Sequence, residues 1–319
     1  MGHSALPEQN PQPGISVDLS AVIVAVTEDE PKVLAILGGD FDALPSGPLE
    51  PRHRTLETGL RAWVQTQTRQ DLGYVEQLYT FGDSGRSAMA GANGRVLSIG
   101  YLALVQEAQR TGAANAEWRN WYRYFPWEDW RQGRPAVLDR IAAGLKAWCA
   151  DVSEPKQRRL REARVRSTFG NRKLPWNDEP VLERYELLYE AGLVPEAHRD
   201  GRRTNGTPLG EGEPMVADHR RILATAIARL RGKIKYRPVV FELMPDTFPL
   251  LHLQRTVEAL AGVRLHKPNF RRLVEGAALV EPTGAMARQE RGRPAALFRF
   301  RRDVLKERPA PGLRVGARF

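Results

Sequence analysis

The hydrophobic and polar positions of the chain follow a strand-like pattern at first and a helical pattern further on. Two β-rich runs, Val17–Val26 and Lys32–Leu37, are separated by the turn-prone segment TEDEP. Two further strands are predicted over Tyr74–Phe81 and Arg95–Val105. Between the two pairs, Thr55–Arg69 is predicted to be a helix, because four large apolar residues recur at the spacing of one helix face: Leu56, Leu60, Trp63 and Val64. One helix between β-hairpins indicates an α+β domain.

The middle of the chain combines aromatic, helical and basic segments. Glu117–Arg131 contains four of the seven tryptophans, which favours packing at a domain edge, with stacking on single-stranded bases as the alternative. Amphipathic helices are predicted over Pro135–Ala150 and Pro180–Ala191. The basic run KQRRLREARVRSTFGNRK between them is interpreted as a solvated face, with an auxiliary phosphate contact as the alternative. His198–Pro214 is polar and glycine-rich, which predicts a mobile connection.

The last third has the spacing of a helix-turn-helix. The run ADHRRILATAIARLRGKIKYRP predicts a helix that ends at Pro238. A second helix follows, with Thr247 as a candidate N-cap and five residues predicted to face inward: Leu250, Leu251, Leu253, Val257 and Leu260. After the turn AGVRLH, with Gly262 suited to ending a helix, a third helix begins near Lys267. Leu279–Glu281 and Ala295–Phe300 predict the strand pair of a wing.

The positive charge of the chain is concentrated in this last third. Residues 216–319 contain 22 basic and 9 acidic residues, whereas the rest contains 26 basic and 29 acidic, within a net charge of +10. A compact basic module is typical of proteins that bind the phosphate backbone. The third helix would enter the major groove, and the candidate DNA contacts are Lys267, Asn269, Arg271 and Arg272 on that helix and Arg288, Arg291 and Arg293 on the wing. A winged helix that contacts other proteins is the alternative.

The composition of the chain also bears on whether it is a membrane, secreted or cytoplasmic protein. No apolar run approaches the ~18 residues of a membrane span, and the first 14 residues do not resemble a secretory signal. The single Cys149 cannot form an internal disulfide, which fits a cytoplasmic protein, and its apolar helix context favours core packing. Residues 1–14 are predicted to be a disordered tail and residues 304–319 a basic, disordered one.

Residues 47–68 fit the frame of a Nudix box without a gap. Gly47, Arg61 and the apolar Trp63 occupy matching positions. Together with the segments YVEQLYTFGD and RVLSIGYLAL that follow, and with LHLQ, KPNFRR and GRPAALFRF in the last third, the chain resembles the Nudix-related transcriptional regulators of NAD metabolism. The likeness covers most of residues 15–130 and nearly all of 215–302.

The chain departs from the Nudix box at every carboxylate. The four glutamate positions hold His53, Ala62, Gln65 and Thr66, and the terminal glycine is Thr68. Carboxylates spaced i, i+3 and i+4 on one helix face converge on a divalent cation that supports hydrolysis. We therefore expect neither a metal site nor catalytic residues.

The resemblance implies that the cleft senses an ADP-ribose or NAD-type nucleotide as an effector, and no cofactor is expected to be required. An arginine would suit the pyrophosphate and an aromatic face the adenine. The candidate ligand-binding residues are Gly47, Arg61, Glu76, Tyr79, Phe81, Asp83, Arg86 and Arg95. The alternative for Tyr79 and Phe81 is that they are strand residues facing a core.

The expected fold class is α+β: a Nudix-like α/β/α sandwich over 15–130, a helical, partly disordered insert over 131–213, and a winged helix-turn-helix domain over 214–303. The expected function is a transcriptional regulator of NAD metabolism genes, a repressor, that binds double-stranded DNA as a homodimer, responds to a nucleotide effector and has no membrane partner. A Nudix hydrolase with displaced metal ligands, and a general nucleic-acid scaffold, are the alternatives.

Overall fold

The computed structural model describes residues 15–83, 95–106, 113–170, 176–202, 205–287, 294–307 and 311–313. The first part of the chain forms a mixed sheet. Its strands are β1 (Ile15–Thr27), β2 (Glu30–Ile36), β3 (Ser46–Pro48), β4 (Tyr74–Phe81), β5 (Arg95–Leu104) and β6 (Ala116–Asn120). They lie in the order β4-β5-β1-β2-β6, with β3 paired to β1. The β1–β5 pair is parallel and the other pairs are antiparallel.

Helices cover both faces of this sheet. The helices are α1 (Leu56–Thr68), α2 (Val137–Ala150), α3 (Pro155–Phe169), α4 (Val181–Glu190), α5 (Pro195–Arg199), α6 (His219–Tyr236), α7 (Leu250–Ala261), α8 (Lys267–Gly276) and α9 (Val304–Glu307). Because side chains alternate along a strand, Leu19, Ala21 and Ile23 of β1 pack with α1, whereas Val22 and Val24 belong to the core that contains α6. The predicted α/β/α sandwich is confirmed, and α6 supplies part of its second helical layer.

The turn between β1 and β2 has left-handed backbone at both central residues, Glu28 with φ 55° and Asp29 with φ 60°. Such two-residue turns match the twist of a hairpin, although Asn and Gly are the usual occupants. The Asp29 carboxylate accepts a hydrogen bond of 2.8 Å from Arg255 on α7. The turn therefore lies against the C-terminal part of the molecule.

The aromatic segment forms β6 and two 3₁₀ turns rather than an exposed stacking surface. Trp121, Tyr124, Phe125 and Trp127 are each completely buried and belong to the core that also contains residues of α2, α4 and α6. The interpretation as packing is confirmed, since rings without exposed faces cannot stack on bases. The residues of β6 itself were not predicted as a strand.

The C-terminal part has the element order of a winged helix. A 3₁₀ segment over Val239–Leu243 precedes β7 (Phe248–Pro249), and β8 (Val280–Ala287) and β9 (Ala295–Phe300) follow α8. These strands form a sheet in the order β7-β9-β8. Apolar residues from α6, α7 and α8 share one core with the second face of the large sheet. The two parts of the chain are consequently packed together through α6.

The structure corrects several local expectations. Thr247 does not cap α7, because Phe248 and Pro249 pair with β9 first and Pro249 occupies the cap position. Leu251 is 38% exposed rather than inward.

In two segments expected to be mobile or disordered, residues that the structure describes are held by packing and hydrogen bonds. Within residues 198–214, His198 and Arg199 end α5, and the Leu209 amide donates to Leu193 O at 2.9 Å. In the C-terminal tail, Val304 of α9 and Leu313 are both completely buried.

Candidate DNA-binding surface and nucleotide site

Helix α8 presents a polar face to solvent and an apolar edge to the core. Phe270 and Val274 are buried, four residues apart and therefore on one side of the helix. The four predicted contact residues of α8 are all exposed: Lys267, Asn269, Arg271 and Arg272. Arg271 pairs with Glu275 at 2.8 Å, and Arg272 donates to Asn269 Oδ1 at 3.3 Å. These side chains are accessible to an anionic partner, while the helix itself is fixed.

The turn before α8 is held by a buried carboxylate that the sequence analysis missed. Glu258 Oε1 accepts from the Leu265 amide and from Gln254, at 2.9 and 2.8 Å. Its other oxygen accepts from Arg264 at 2.9 Å, and Gln254 also donates to Leu265 O. Because these bonds cross the turn, they set the direction in which α8 leaves α7. A carboxylate one turn after a glutamine, next to the apolar Leu253 and Val257 of the same helix, is the signal that could have found it.

The wing follows α8 in the chain as a two-stranded ribbon. β8 and β9 are antiparallel, and Arg299 pairs with Glu281 across them at 2.6 Å. β8 extends to Ala287, further than predicted. The predicted wing contacts Arg288, Arg291 and Arg293 lie outside the described residues.

The Nudix-like segment keeps the shape of its box. A side chain at Gly47 would place its Cβ 2.4 Å from the Trp63 ring, so these two matched positions require each other. Trp63 Nε1 donates to Pro48 O at 2.9 Å and thereby ties α1 to β3. Arg61, the third matched residue, pairs with Glu57 and donates to Leu72 O and Gly73 O. Gly47 and Arg61 thus have structural contacts on the α1 face.

The positions of the missing carboxylates do not form an anionic site. Ala62, Gln65 and Thr66 are exposed on α1 without charge. The His53 side chain is nearly buried beside Gly59 and Trp63, and its Nδ1 accepts from the Glu50 amide at 3.1 Å. Among the residues that the structure describes, no group of three or more His, Cys, Asp or Glu could hold a metal ion.

The predicted ligand residue Glu76 lies on the opposite face of the sheet and is paired with α6. Its carboxylate accepts from Lys233 and, at 2.6 Å, from Tyr74. Burial alone would raise the pKa of the Glu76 carboxyl, but the hydrogen bonds from Lys233 and Tyr74 outweigh it and the pKa is lowered. Glu76 therefore fastens α6 to β4.

The end of β4 brings together most of the other predicted ligand residues. Tyr79 is 61% exposed and its ring lies 5.3 Å from that of the buried Phe81. A register shift between Gln77 and Thr80 interrupts the strand alternation here, which is how neighbouring aromatics acquire such different exposure. Arg95 donates to Gly82 O at 2.9 Å. Arg86 lies outside the described residues.

Arg221, near the start of α6, contacts this cluster and was not predicted from the sequence. Arg221 pairs with Asp83, the remaining predicted ligand residue, and its guanidinium lies 5.1 Å from the Phe81 ring centroid. It also pairs with Glu186 of α4 at 2.8 Å. A ligand that displaced the Asp83 contact would act directly on α6.

Further along α6, Arg231 joins three parts of the chain in a buried network. Its guanidinium donates to the Glu128 carboxylate at 2.7 Å, to Asp178 O at 2.9 Å and to Leu260 O of α7 at 2.9 Å. Glu128 also accepts from Arg184 at 2.8 Å, and all three ionised side chains are at most 1% exposed. Arg231 follows Ile227 by one turn, so a basic residue on the apolar stripe of α6 was its signal in the sequence.

The C-terminal end of α7 rests on the same segment as Glu128. Gly262 has φ +73°, and a Cβ there would lie 2.3 Å from Glu128 O. The Trp130 amide donates to Gly262 O at 2.7 Å, and the Tyr122 hydroxyl donates to Ala259 O at 2.7 Å. The turn before α8 is consequently seated on the first half of the chain.

Comparison with known protein families gives a match for the C-terminal part of the chain. Residues 240–300 match the family model described as the NrtR DNA-binding winged helix domain. The chain is 39% identical over 86 residues to the ADPR responsive transcriptional repressor NtrR of Acinetobacter baylyi, a segment that covers 27% of this chain and 34% of that repressor. The match therefore spans about a third of the length of this curated relative.

Solved structures resemble the chain over nearly its whole length. The crystal structure of Shewanella oneidensis NrtR complexed with a 27mer DNA has a TM-score of 0.53 at 20% identity, covering 91% of this chain and 95% of that one. A MutT/nudix family protein from Enterococcus faecalis has a TM-score of 0.51 at 16% identity, covering 93% and 90%. At such identities the likeness concerns the fold. The chain thus has the same overall fold as these solved structures, and its residues 240–300 match the NrtR DNA-binding winged helix domain.

Proposed function

We propose that the protein is a DNA-binding transcriptional repressor of NAD metabolism genes whose Nudix-like domain senses an ADP-ribose-type nucleotide. The observation that supports DNA binding best is α8, where Lys267, Asn269, Arg271 and Arg272 are exposed while Phe270 anchors the helix. Arginine can contact guanine through two hydrogen bonds and asparagine can contact adenine in the same way. The similar NrtR of Shewanella oneidensis was solved with a 27mer DNA.

The first experiment selects bound genomic fragments and then measures gel shifts with Arg271→Ala and Arg272→Ala. A base-reading arginine should cost about 1–3 kcal/mol and relax the sequence preference at one position. Arg52→Ala removes an exposed cation from the loop before α1 and should leave the preference unchanged. Equal affinity for selected and random fragments would contradict the proposal and favour a general nucleic-acid scaffold.

The proposed effector site is the end of β4. The exposed Tyr79 ring would stack on the adenine, and Arg95 would contact the pyrophosphate after releasing Gly82 O. Asp83, Phe81 and Arg221 link this site to α6. The relative from Acinetobacter baylyi is described as ADPR responsive. The other three predicted ligand residues already have partners within the protein: Gly47 contacts α1, Arg61 contacts Leu72, and Glu76 contacts Lys233. They can bind the nucleotide only if its binding releases these contacts.

Ligand would alter operator binding through α6. Arg221 and Arg231 are ten residues apart, which corresponds to about 15 Å along a helix. If α6 moves as a rigid body when the Asp83 contact changes, the displacement would be passed through Arg231 to Leu260 O and to the contact between Gly262 and Glu128. Operator footprinting with and without ADP-ribose or NAD tests this idea. Unchanged protection at saturating nucleotide, with bound nucleotide verified by calorimetry, would contradict a sensor role.

Loss of hydrolysis belongs to the same proposal. Ala62, Gln65 and Thr66 cannot supply the anionic oxygens that a hard divalent cation requires. The alternative, a hydrolase with displaced metal ligands, predicts turnover of ADP-ribose with Mg²⁺ or Mn²⁺ that Tyr79→Ala or Arg95→Gln abolishes. We expect no such turnover.

The repressor is proposed to act as a homodimer in the cytoplasm. Paired winged helices bind half-sites about one helical turn apart, so the operator should be an approximate inverted repeat. Light scattering of the purified chain should give twice the monomer mass of 35.8 kDa. Within the described ranges, the helices do not combine the length and the apolar composition that a membrane span requires.

A further inference from the structure

Helix α3 carries a strongly basic surface that the winged helix does not explain. Its 15 residues include one acidic residue, Glu162, and six basic ones: Lys156, Arg158, Arg159, Arg161, Arg164 and Arg166. Thr168 is its one buried residue. A helix with so thin an apolar edge is not held in place by core packing alone, so its charges require a separate explanation.

Three of the cations are used within the molecule. The Arg161 guanidinium lies 4.1 Å from the Trp148 ring centroid and donates to Trp148 O at 2.6 Å. Arg158 pairs with Glu162 at 3.3 Å, and Arg164 pairs with Glu190 of α4. The contacts of Arg161 and Arg164 attach α3 to the rest of the protein, whereas the Arg158–Glu162 pair lies within the helix.

The other three cations share the outer side. Relative to Arg159, helix geometry places Arg166 within about 20° and Lys156 within about 60°, over about 15 Å of helix length. Lys156, Arg159 and Arg166 are exposed, and none forms a salt bridge with another residue in the part of the chain that the structure describes.

The chemistry of this face indicates its partner. Leu160, 57% exposed, is its one large apolar residue. A protein interface usually has an apolar core, and a helix that lies in a membrane surface has an apolar face, so both fit poorly. A row of cations without an apolar face is suited to the regularly spaced phosphates of a duplex, which carries one charge per about 1.7 Å of axis.

We propose that Lys156, Arg159 and Arg166 bind the phosphate backbone of double-stranded DNA outside the segment that α8 reads. The inference rests on the proposed function for the presence of DNA. Three phosphate contacts would add about 2.7 to the slope of log affinity against log salt, since each contributes about 0.9. Between 50 and 200 mM salt, that slope corresponds to an additional loss of roughly 40-fold in affinity.

The experiment compares two duplexes, the shortest operator fragment that retains specific binding and the same fragment with flanks of about 15 base pairs on each side, chosen to exceed the ~15 Å of the α3 face several-fold. Affinities are measured by anisotropy across a salt series for the wild type and for Lys156→Gln/Arg159→Gln/Arg166→Gln. The control Arg52→Gln/Arg54→Gln/Lys146→Gln removes the same charge from exposed positions elsewhere. Circular dichroism verifies that both variants are folded.

For the wild type and the control, we expect the salt slope to be steeper on the flanked duplex than on the short one. For the α3 variant, we expect the slopes on the two duplexes to be equal. The inference would be overturned if the α3 variant kept the wild-type slope on the flanked duplex, or if the control variant lost as much slope as the α3 variant. Either result would leave specific binding by α8 intact. A flanked duplex of random sequence separates the two proposals, because the α3 effect should persist there even if no operator is recognised. Loss of binding to vesicles with one-third phosphatidylglycerol in the α3 variant, without a change on DNA, would assign the face to a membrane and also overturn it.

Discussion

Replacing Glu128 by glutamine tests the buried network that joins the two halves of the chain. The Glu128 carboxylate is completely buried and accepts hydrogen bonds from Arg184 and Arg231 at 2.8 and 2.7 Å. Glutamine has almost the same shape but lacks the charge, so Glu128→Gln leaves two buried guanidinium groups around a neutral amide.

The expected destabilisation is large. Removing one partner from a buried ion pair costs about 3–5 kcal/mol, because the remaining charge is neither hydrated nor neutralised. Folded domains are stable by about 5–15 kcal/mol, so the variant should lose a substantial fraction of its free energy of unfolding. Since Arg231 also donates to Leu260 O, amide exchange at the end of α7 should become faster as well.

The assay is urea unfolding followed by tryptophan fluorescence and circular dichroism. Glu213→Gln is the matched control, because Glu213 pairs with Arg123 at 2.7 Å while both side chains are more than 40% exposed. Such a pair contributes at most about 1 kcal/mol. If Glu128→Gln and Glu213→Gln had free energies of unfolding within 1 kcal/mol of each other, the buried network would not stabilise the fold as argued.

Three further changes test other parts of the structure. Gly262→Ala should weaken operator binding and lower the melting temperature, because φ is +73° there and the new Cβ would lie 2.3 Å from the Glu128 backbone oxygen. Gly232→Ala, whose Cβ would meet open space, should preserve both properties. Gel shifts measure the binding and calorimetry the melting temperature. Glu258→Ala should reduce DNA affinity by freeing the Leu265 amide, and undiminished affinity would show that the turn is held by other contacts. Burial lowers the pKa of His219 from 6.5 to about 4, so the unfolded chain binds the proton first and stability should fall as pH decreases from 6.5 toward 4. Relative to His219→Gln, the wild type should lose about 2 kcal/mol between pH 7 and 5, and parallel pH profiles in urea titrations would argue against that assignment.

The elements whose patterns are local can be predicted from the order of the amino acids alone. The β-rich runs of β1 and β4, the helical spacing of α1 and the order of helix, turn and helix at residues 250–276 follow from residue type, side-chain periodicity and turn chemistry. Gly47, Arg61 and Trp63 indicated the Nudix box only together with the segments YVEQLYTFGD and RVLSIGYLAL that follow. The contact between Gly47 and Trp63 shows why these two positions are kept, because it constrains the backbone at both. The exposure of Arg271 and Arg272 likewise follows from the positions of Phe270 and Val274 one turn apart.

The folded arrangement sets which charged residues are buried and which segments they connect. Glu128, Arg184 and Arg231 lie far apart in the chain, and a single charged residue in an apolar pattern does not reveal its partner. The tertiary structure also determined that Glu76 and Asp83 pair with α6 rather than forming an open cleft with Gly47 and Arg61. Periodicity records which side of an element is apolar, but the neighbour that covers that side is fixed by contacts between residues distant in sequence, and these set the surroundings of both candidate sites.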